Sequence, residues 1–146
     1  MKDITRKRLL EAGWHENRNM DTELFHKKFD EIGLEYPPNV DIFLREYGML
    51  PINPKDKRYF DVSFDVLQAI GCNLDGSYFN DCLEEYGIEK AVYPIGKACR
   101  NELFVLMTAE NEFYGFTDGL LLFLGESSDE MLDCMVGECR DPMELE

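Results

Sequence analysis

The sequence has no hydrophobic run long enough to cross a membrane as a helix. Such a span needs about 18 or more consecutive apolar residues, and no stretch of the 146-residue chain approaches that length. The first residues, MKDITRKRLLEAG, carry charges where a secretion signal would need an apolar segment. We therefore expect a cytoplasmic protein that has no membrane partner.

Cysteine and histidine are too few and too scattered to suggest a metal centre. The only histidines are His15 and His26, and the five cysteines, an odd number, show no C-x-x-C spacing. Zinc sites need grouped ligands, and a protein that is not exported keeps its thiols reduced. The sequence therefore predicts free thiols, no metal and no cofactor. The cysteines are Cys72, Cys82, Cys99, Cys134 and Cys139.

Recognisable catalytic motifs are also missing. The chain contains no G-x-S-x-G, no phosphate-binding P-loop, no EF-hand loop and no H-E-x-x-H. The stretch GWHENR (Gly13–Arg18) combines Trp, His and Glu. A general base needs an orienting partner and a pocket, however, and neighbours in sequence provide neither. We interpret His15 as a surface loop residue and predict a protein that is not an enzyme.

Basic residues are scarce in the second part of the chain. Residues 1–58 contain 11 Lys/Arg and 11 Asp/Glu, whereas residues 59–146 contain four Lys/Arg and 19 Asp/Glu. The whole net charge of −15 therefore belongs to the second part. An acidic field repels nucleic acid and speeds encounter with cationic partners. The alternative is that the charge only keeps the protein soluble.

The first part of the chain has the punctuation of short helices. The 45% apolar and 12% aromatic content indicates a globular chain, and its length fits one domain over residues 1–146. Helices are predicted in ITRKRLLEAG, in TELFHKKFDEI and in VDIFLREY. Gly13 would end the first, Asp21 or Thr22 would cap the second, and Asn39 would cap the third. The segments DVLQAI and GSYFNDCLEEYG predict two further helices.

From residue 91 onward the pattern is that of strands. AVYPIG, ELFVLMT, EFYGFT and LLLFLG are joined by very short connections, and Asp118-Gly119 is a strong hairpin signal. Pro94 suits an edge strand or the start of a strand. Before the meander, RYFDVSF reads as a short strand, PINPK as a loop and GCNLDG as a turn. The meander predicts an antiparallel sheet.

A closing helix is predicted in GESSDEMLDCMVGE (Gly125–Glu138). Ser127 and Glu130 have the spacing of a capping box, and Gly137 can end the helix. The order of elements is N-terminal helices, an antiparallel meander and a C-terminal helix. Such segregation predicts an α+β fold.

The same stretch holds five carboxylates and no basic residue, which allows three interpretations. Asp129, Glu130 and Asp133 share one side of the predicted helix at i, i+3 and i+4 spacing. A magnesium site would also need ligands from a second element or a phosphate, and no matching acidic motif is present. The other two interpretations, a solvated helix end and a surface that docks a basic partner, stay open.

Aromatic residues of the meander lie close in sequence to further acidic residues. Aromatic anchors ringed by acid suit an interface whose partner presents Arg and Lys, although each ring taken singly is more simply a core residue. The candidate partner-binding residues are Glu110, Glu112, Tyr114, Asp118, Glu126, Asp129, Glu130 and Asp133.

Segments spread in order over nearly the whole chain resemble the SUKH superfamily, in its third branch of bacterial immunity proteins. They are LLEAGWHENR followed by DTE, YPPNVDIFLREYGML, FDVSF (Phe60–Phe64), YPIG and LGESSDEMLDCMVG. The resemblance implies an α+β fold and assigns scaffold roles to a set of recurring positions, where Trp14 would pack the first helix onto the sheet. That set is Gly13, Trp14, Phe43, Leu44, Tyr93, Pro94, Ile95 and Gly96.

The resemblance also implies a role in polymorphic toxin systems. Such a protein protects its producer by binding a cognate protein toxin, often a nuclease, in the cytoplasm. It implies no catalytic residue and does not locate the interface. The alternative is a general protein-interaction or regulatory module of the same fold with no toxin partner, and the oligomeric state stays open.

Overall fold

The computed structural model describes residues 1–53, 61–71 and 75–146 and shows an α+β fold. Three helices precede the first strand, two short helices lie between the first and second strands, and one helix follows the fifth. The helices in this described part are α1 (Asp3–Ala12), α2 (Glu23–Glu31), α3 (Pro38–Tyr47), α4 (Val66–Ile70), α5 (Tyr78–Glu84) and α6 (Ser128–Met135).

The ends of the first helices follow the local sequence, with one correction. Gly13 ends α1 in a left-handed conformation (φ 111°) that suits a residue without a side chain. Asn39 was predicted to cap α3, but the helix begins one residue earlier, at Pro38. Proline suits a first helical position because the N–H that it lacks would have no partner there. The Asn39 side chain instead donates to the Thr108 carbonyl oxygen, at 3.0 Å.

In the part of the chain that the structure describes, the sheet has six antiparallel strands in chain order, so each strand pairs with its sequence neighbours. Four of them form the predicted meander, and β1 lies within the predicted RYFDVSF segment. The last strand, β6, was not predicted. The strands are β1 (Val62–Ser63), β2 (Val92–Ala98), β3 (Leu103–Thr108), β4 (Phe113–Thr117), β5 (Leu120–Gly125) and β6 (Met143–Leu145).

Pro94 was predicted on an edge strand or at the start of a strand, and it is the third residue of β2, the second strand of the sheet. The two-residue β1 pairs only with Lys97 and Ala98, and Pro94 pairs with Leu106 of β3 on the other side. Among the described strands, Pro94 therefore faces a partner on one side only. The physical reason for the prediction holds locally, because proline cannot donate to a second ladder.

The two faces of the sheet are covered unequally. The inner face, which includes Val105, Met107 and Phe113, belongs to a large core cluster with α1–α4 and α6. The outer face, which includes Leu106 and Phe116, belongs to a smaller cluster with α5. Strand alternation places successive side chains on opposite faces, so both sides of an apolar strand can be buried. The described part of the chain contains no helix that is both long and apolar enough to span a membrane.

Some sequence predictions fall on residues outside the described ranges. These are residues 54–55 of the predicted loop, residues 58–60 of the predicted strand, and residues 72–74 of the predicted turn. They include Phe60 of the FDVSF segment and Cys72.

Candidate functional site

The candidate acidic residues lie at both ends of the meander. Glu110 and Glu112 lie in or beside the β3–β4 turn, and Asp118 lies in the β4–β5 turn. In an antiparallel meander successive turns lie at opposite ends of the strands. Glu126 and Asp129 follow β5 and therefore lie at the same end as Glu110. The eight candidates cannot form one continuous surface, because Asp118 lies at the far end.

A cavity of about 350 Å³ lies where α3 faces the β3–β4 turn and the start of α6. Its lining combines residues of these three segments, which are far apart in sequence. The helix α3 contributes Asn39, Ile42, Phe43, Glu46 and Tyr47, the sheet end contributes Met107, Glu110 and Asn111, and the α6 start contributes Glu126, Ser127 and Ser128.

A second cavity, of about 460 Å³, continues the first beyond the α6 start. The two share Glu46, Tyr47 and Ser128. The second cavity adds Asp129, Arg6 of α1 and residues of the segment that follows α1, including Arg18. We call the two together the acidic groove, because Glu46, Glu110, Glu126 and Asp129 lie along it.

The carboxylates of the groove differ in how far internal partners satisfy them. Glu46 accepts a hydrogen bond from Trp14 Nε1 at 3.0 Å. Glu110 shares Lys90 with Glu112, at 3.2 and 2.6 Å from Nζ respectively. Hydrogen bonds from Lys90 to Glu112 and then to Glu110 raise the Lys90 pKa, so this cation stays charged. Asp129 lies 3.5 Å from the N-terminal ammonium.

The first turn of α6 carries half of the predicted capping box. Ser127 accepts a hydrogen bond from the Glu130 N–H at 3.2 Å, as predicted. The Glu130 carboxylate was expected to return the bond to Ser127, but it accepts from the Glu126 N–H, at 3.2 Å. Its other oxygen lies 2.8 Å from Arg140. Arg140, followed by the Glu126 N–H, lowers the Glu130 pKa, so the carboxylate stays ionised. Its negative charge is balanced within the protein by Arg140.

Asp133 does not share the exposed side of α6 with Asp129. It is buried and accepts hydrogen bonds from the Thr5 hydroxyl at 2.6 Å and from the Lys2 N–H at 2.8 Å. Burial alone would raise its pKa, but the bonds from Thr5 and Lys2 and the positive N-terminus lower it overall. The carboxylate therefore holds α1 against α6 and is not offered to a partner.

Tyr114 is likewise buried rather than displayed as an anchor. It belongs to the outer core cluster, and its ring lies 5.5 Å from that of Phe123 in a T-shaped arrangement. Burial, with the nearby Glu112 charge as a smaller cause, raises the Tyr114 pKa. Phe113, Phe116 and Tyr93 are buried as well, so the aromatic residues of the meander belong to the core.

The described residues offer little for metal or acid–base chemistry. No group of three or more His, Cys, Asp or Glu side chains in the described ranges is arranged to hold a metal ion. His15 is exposed, and its Nδ1 lies 2.8 Å from the Glu16 carbonyl oxygen. The groove therefore presents charge and shape, without an evident nucleophile–base pair.

Comparison with known families supplies the assignment that geometry alone does not. The family model described as SUKH-3 immunity protein matches residues 1–138. The chain belongs to the SUKH-3 immunity protein family. A search of curated proteins found no match, and neither did a search of solved structures. The matched region ends before β6, so the unpredicted strand lies outside it.

Most scaffold positions suggested by the SUKH resemblance are buried. Trp14 links the end of α1 to α3, since its ring stacks on Tyr47 with centroids 6.4 Å apart. It belongs to the core cluster that also contains the inner face of the sheet. At Gly96 an added Cβ would collide with the Ser63 carbonyl oxygen of β1, which explains the need for glycine. The buried positions are Trp14, Phe43, Leu44, Tyr93, Pro94, Ile95 and Gly96, whereas Gly13 is exposed.

Several residues of the groove were missed at the level of sequence because they lie in the charge-neutral first part. Glu46 and Ile42 of α3 belong to this group, and Asn39 was interpreted only as a cap. The sequence did contain a signal that Ile42 is exposed. It is an apolar residue that lies outside the buried stripe of α3, which consists of Val40, Phe43, Leu44 and Tyr47. In this SUKH-3 chain Ile42 is 67% exposed beside the groove carboxylates.

Proposed function

We propose that this SUKH-3 protein is a non-enzymatic immunity protein that binds and neutralises a cognate toxin domain through an acidic surface. Membership of the family supports the immunity role. The single observation that supports an acidic docking surface is the distribution of charge. The whole net charge of −15 lies in residues 59–146.

The toxin of this proposal is a basic protein, and a nuclease fits best. A nuclease holds phosphates in a cationic cleft, so an acidic protein that covers the cleft can exclude the nucleic acid substrate. The same field repels nucleic acid from the immunity protein, which therefore binds the toxin directly and no nucleic acid. Neutralisation in the producing cell requires the two proteins to meet in the cytoplasm.

Electrostatic docking has a kinetic signature. Opposite fields on two proteins accelerate their encounter, and salt screens this long-range attraction. Complementary charges therefore affect the association rate more than they affect the lifetime of the complex. For this protein we expect fast association that slows steeply as salt is raised.

The test is co-expression and co-purification with the product of the adjacent gene. We expect the protein to restore growth of cells that produce the toxin and to co-purify with it. Association rates measured from about 20 to 500 mM salt should then fall by roughly tenfold or more. Growth rescue together with an association rate that does not depend on salt would reject electrostatic docking and leave the immunity role standing. Absence of both rescue and binding would favour an interaction module with another partner.

A further inference from the structure

We infer that the acidic groove is the docking site and that it receives a protruding segment of the toxin that carries basic side chains. This inference rests on the proposed function and adds the location and chemistry of contact. Its first support is shape. Segments that the fold brings together from residues 39–47, 107–111 and 126–129, joined in the second cavity by residues 1–6 and 14–18, form a concave surface of two adjoining cavities.

The lining of the groove suits a protein segment better than a small ligand. Small-molecule sites are predominantly apolar, with only a few polar groups. Most side chains lining the first cavity are instead polar, including Glu46, Glu110 and Glu126. A polar, acid-lined groove gains complementarity from Lys or Arg side chains on a partner.

The basic residues at the groove already have internal partners. Arg6 lies 2.8 Å from Glu16 and stands over the Trp14 ring, and Arg18 donates to the carbonyl oxygens of Glu46 and Gly48. In the described part of the chain no cation pairs with the exposed Glu126 carboxylate. A cation from the partner therefore meets a carboxylate for which no internal cation competes.

Ile42 adds an apolar contact that charge alone would not provide. Its side chain is 67% exposed on the wall of the first cavity, between Asn39 and Glu46 on α3. An exposed apolar side chain that is covered on binding gains the hydrophobic contribution, and it excludes water from neighbouring charge pairs. Glu126 and Ile42 thus make different contributions, one mainly to encounter and the other mainly to retention.

The other acidic positions fit this role less well. Asp133 is buried against α1, and Glu130 is paired with Arg140 and does not line the groove. Glu110 is also paired, with Lys90, but it lines the first cavity. Asp118 lies at the opposite end of the strands, near Tyr78 and Cys82 of α5 and away from the groove lining. The groove combines exposed carboxylates and an exposed apolar side chain with a concave shape.

The experiment compares charge reversal in the groove with matched reversal elsewhere. The partner is the toxin that co-purifies in the preceding test, used in an inactivated form. The groove variant is E110K/E126K, and the control is E84K/E89K, which makes the same charge change at exposed residues at and just beyond the end of α5. We expect association at low salt to slow about tenfold or more in the groove variant and less than about threefold in the control.

A third variant, Ile42→Ser, tests the apolar contact. We expect the dissociation rate to rise about tenfold while the association rate changes less than about twofold. Circular dichroism checks that each variant is folded. If the wild type binds and the groove and control variants slow equally, the groove assignment is overturned and the proposed function stands. If the wild type does not bind the toxin, both are overturned.

Discussion

The two ends of α6 use the same kind of residue in opposite ways. At the C-terminal end, the Asp133 carboxylate is consumed by hydrogen bonds to Thr5 and Lys2 of the N-terminal segment. At the N-terminal end, Glu126 and Asp129 are exposed along the groove. The stretch that contains all three has no basic residue. What differs is enclosure: Asp133 is buried among its donors, whereas Asp129 stays exposed although it lies 3.5 Å from the N-terminal ammonium.

The comparison teaches that an acidic run is not by itself a binding surface. A carboxylate is retained in a buried place only when donors satisfy it, and there it stabilises the fold. An exposed carboxylate contributes little to stability and is available to a partner. Substitutions at the two ends should therefore separate effects on stability from effects on binding.

The largest effect is expected from Asp133→Ala. Removing the carboxylate leaves the buried Thr5 hydroxyl and the partly buried Lys2 N–H without their acceptor. We expect the free energy of unfolding to fall by about 3 kcal/mol. The matched control, Asp129→Ala one helical turn earlier, should cost about 0.5 kcal/mol. Urea unfolding measures both, and equal losses would abolish the distinction between the two ends.

The second effect concerns Gly137, at the same end of the helix. A Cβ at this position would collide with Thr5 Oγ1 and lie 3.1 Å from Cys139 Sγ. We expect Gly137→Ala to lower the free energy of unfolding by about 2 kcal/mol through overpacking. If contact with Thr5 is the cause, the double variant Thr5→Ala/Gly137→Ala should lose less than the sum of the single losses. Strict additivity would contradict this cause.

The third effect is a dependence of stability on pH. The folded-state pKa of Asp133 lies below its ordinary value of 3.8, because hydrogen bonds and the N-terminus outweigh burial. The ionised group therefore stabilises the fold above the unfolded pKa, and this contribution is lost as pH falls through the folded pKa. At pH 7 we expect Asp133→Asn to cost about 1.5 kcal/mol. The gap to wild type should close in urea unfolding near pH 2, and a constant gap would contradict the linkage.

A smaller effect is expected at the capped end. Ser127 accepts the Glu130 N–H, so Ser127→Ala should cost about 1 kcal/mol of unfolding free energy. Ser127→Asp keeps an acceptor at the cap and should recover most of the loss. Thermal and urea unfolding of the two variants test this. If Ser127→Asp is as destabilised as Ser127→Ala, the loss of stability does not come from the cap but from the packing of Ser127 in the groove wall.

The smallest effect on stability is expected for Glu126→Gln. The side chain is exposed, so the free energy of unfolding should change by less than about 0.5 kcal/mol. Association with the toxin domain should nevertheless slow by about threefold at low salt, since one steering charge is lost. An unchanged free energy of unfolding together with a slower association rate would show that Glu126 serves binding, whereas Asp133 serves stability. A large loss of stability would contradict that placement.

The fold could be read in large part from local patterns. The helix stop at Gly13, the hairpin at Asp118-Gly119 and the Ser127 cap follow from backbone conformation and from hydrogen bonds within a few residues. The very short connections between the apolar segments of the meander predicted the antiparallel sheet. The strand β6 was missed because its three residues carry almost no periodic signal, and they form a strand by pairing with β5.

The sequence by itself determined the α+β class, the acidic second part of the chain and the resemblance to immunity proteins. Only the tertiary structure decided which acids are buried and which are displayed. Asp129 and Asp133 are four residues apart on one helix, yet only Asp133 meets the hydroxyl of Thr5, 128 positions away. Burial and hydrogen bonding depend on contacts between distant segments, which local periodicity does not encode. The groove has the same origin, since its carboxylates come from both the neutral and the acidic part of the chain.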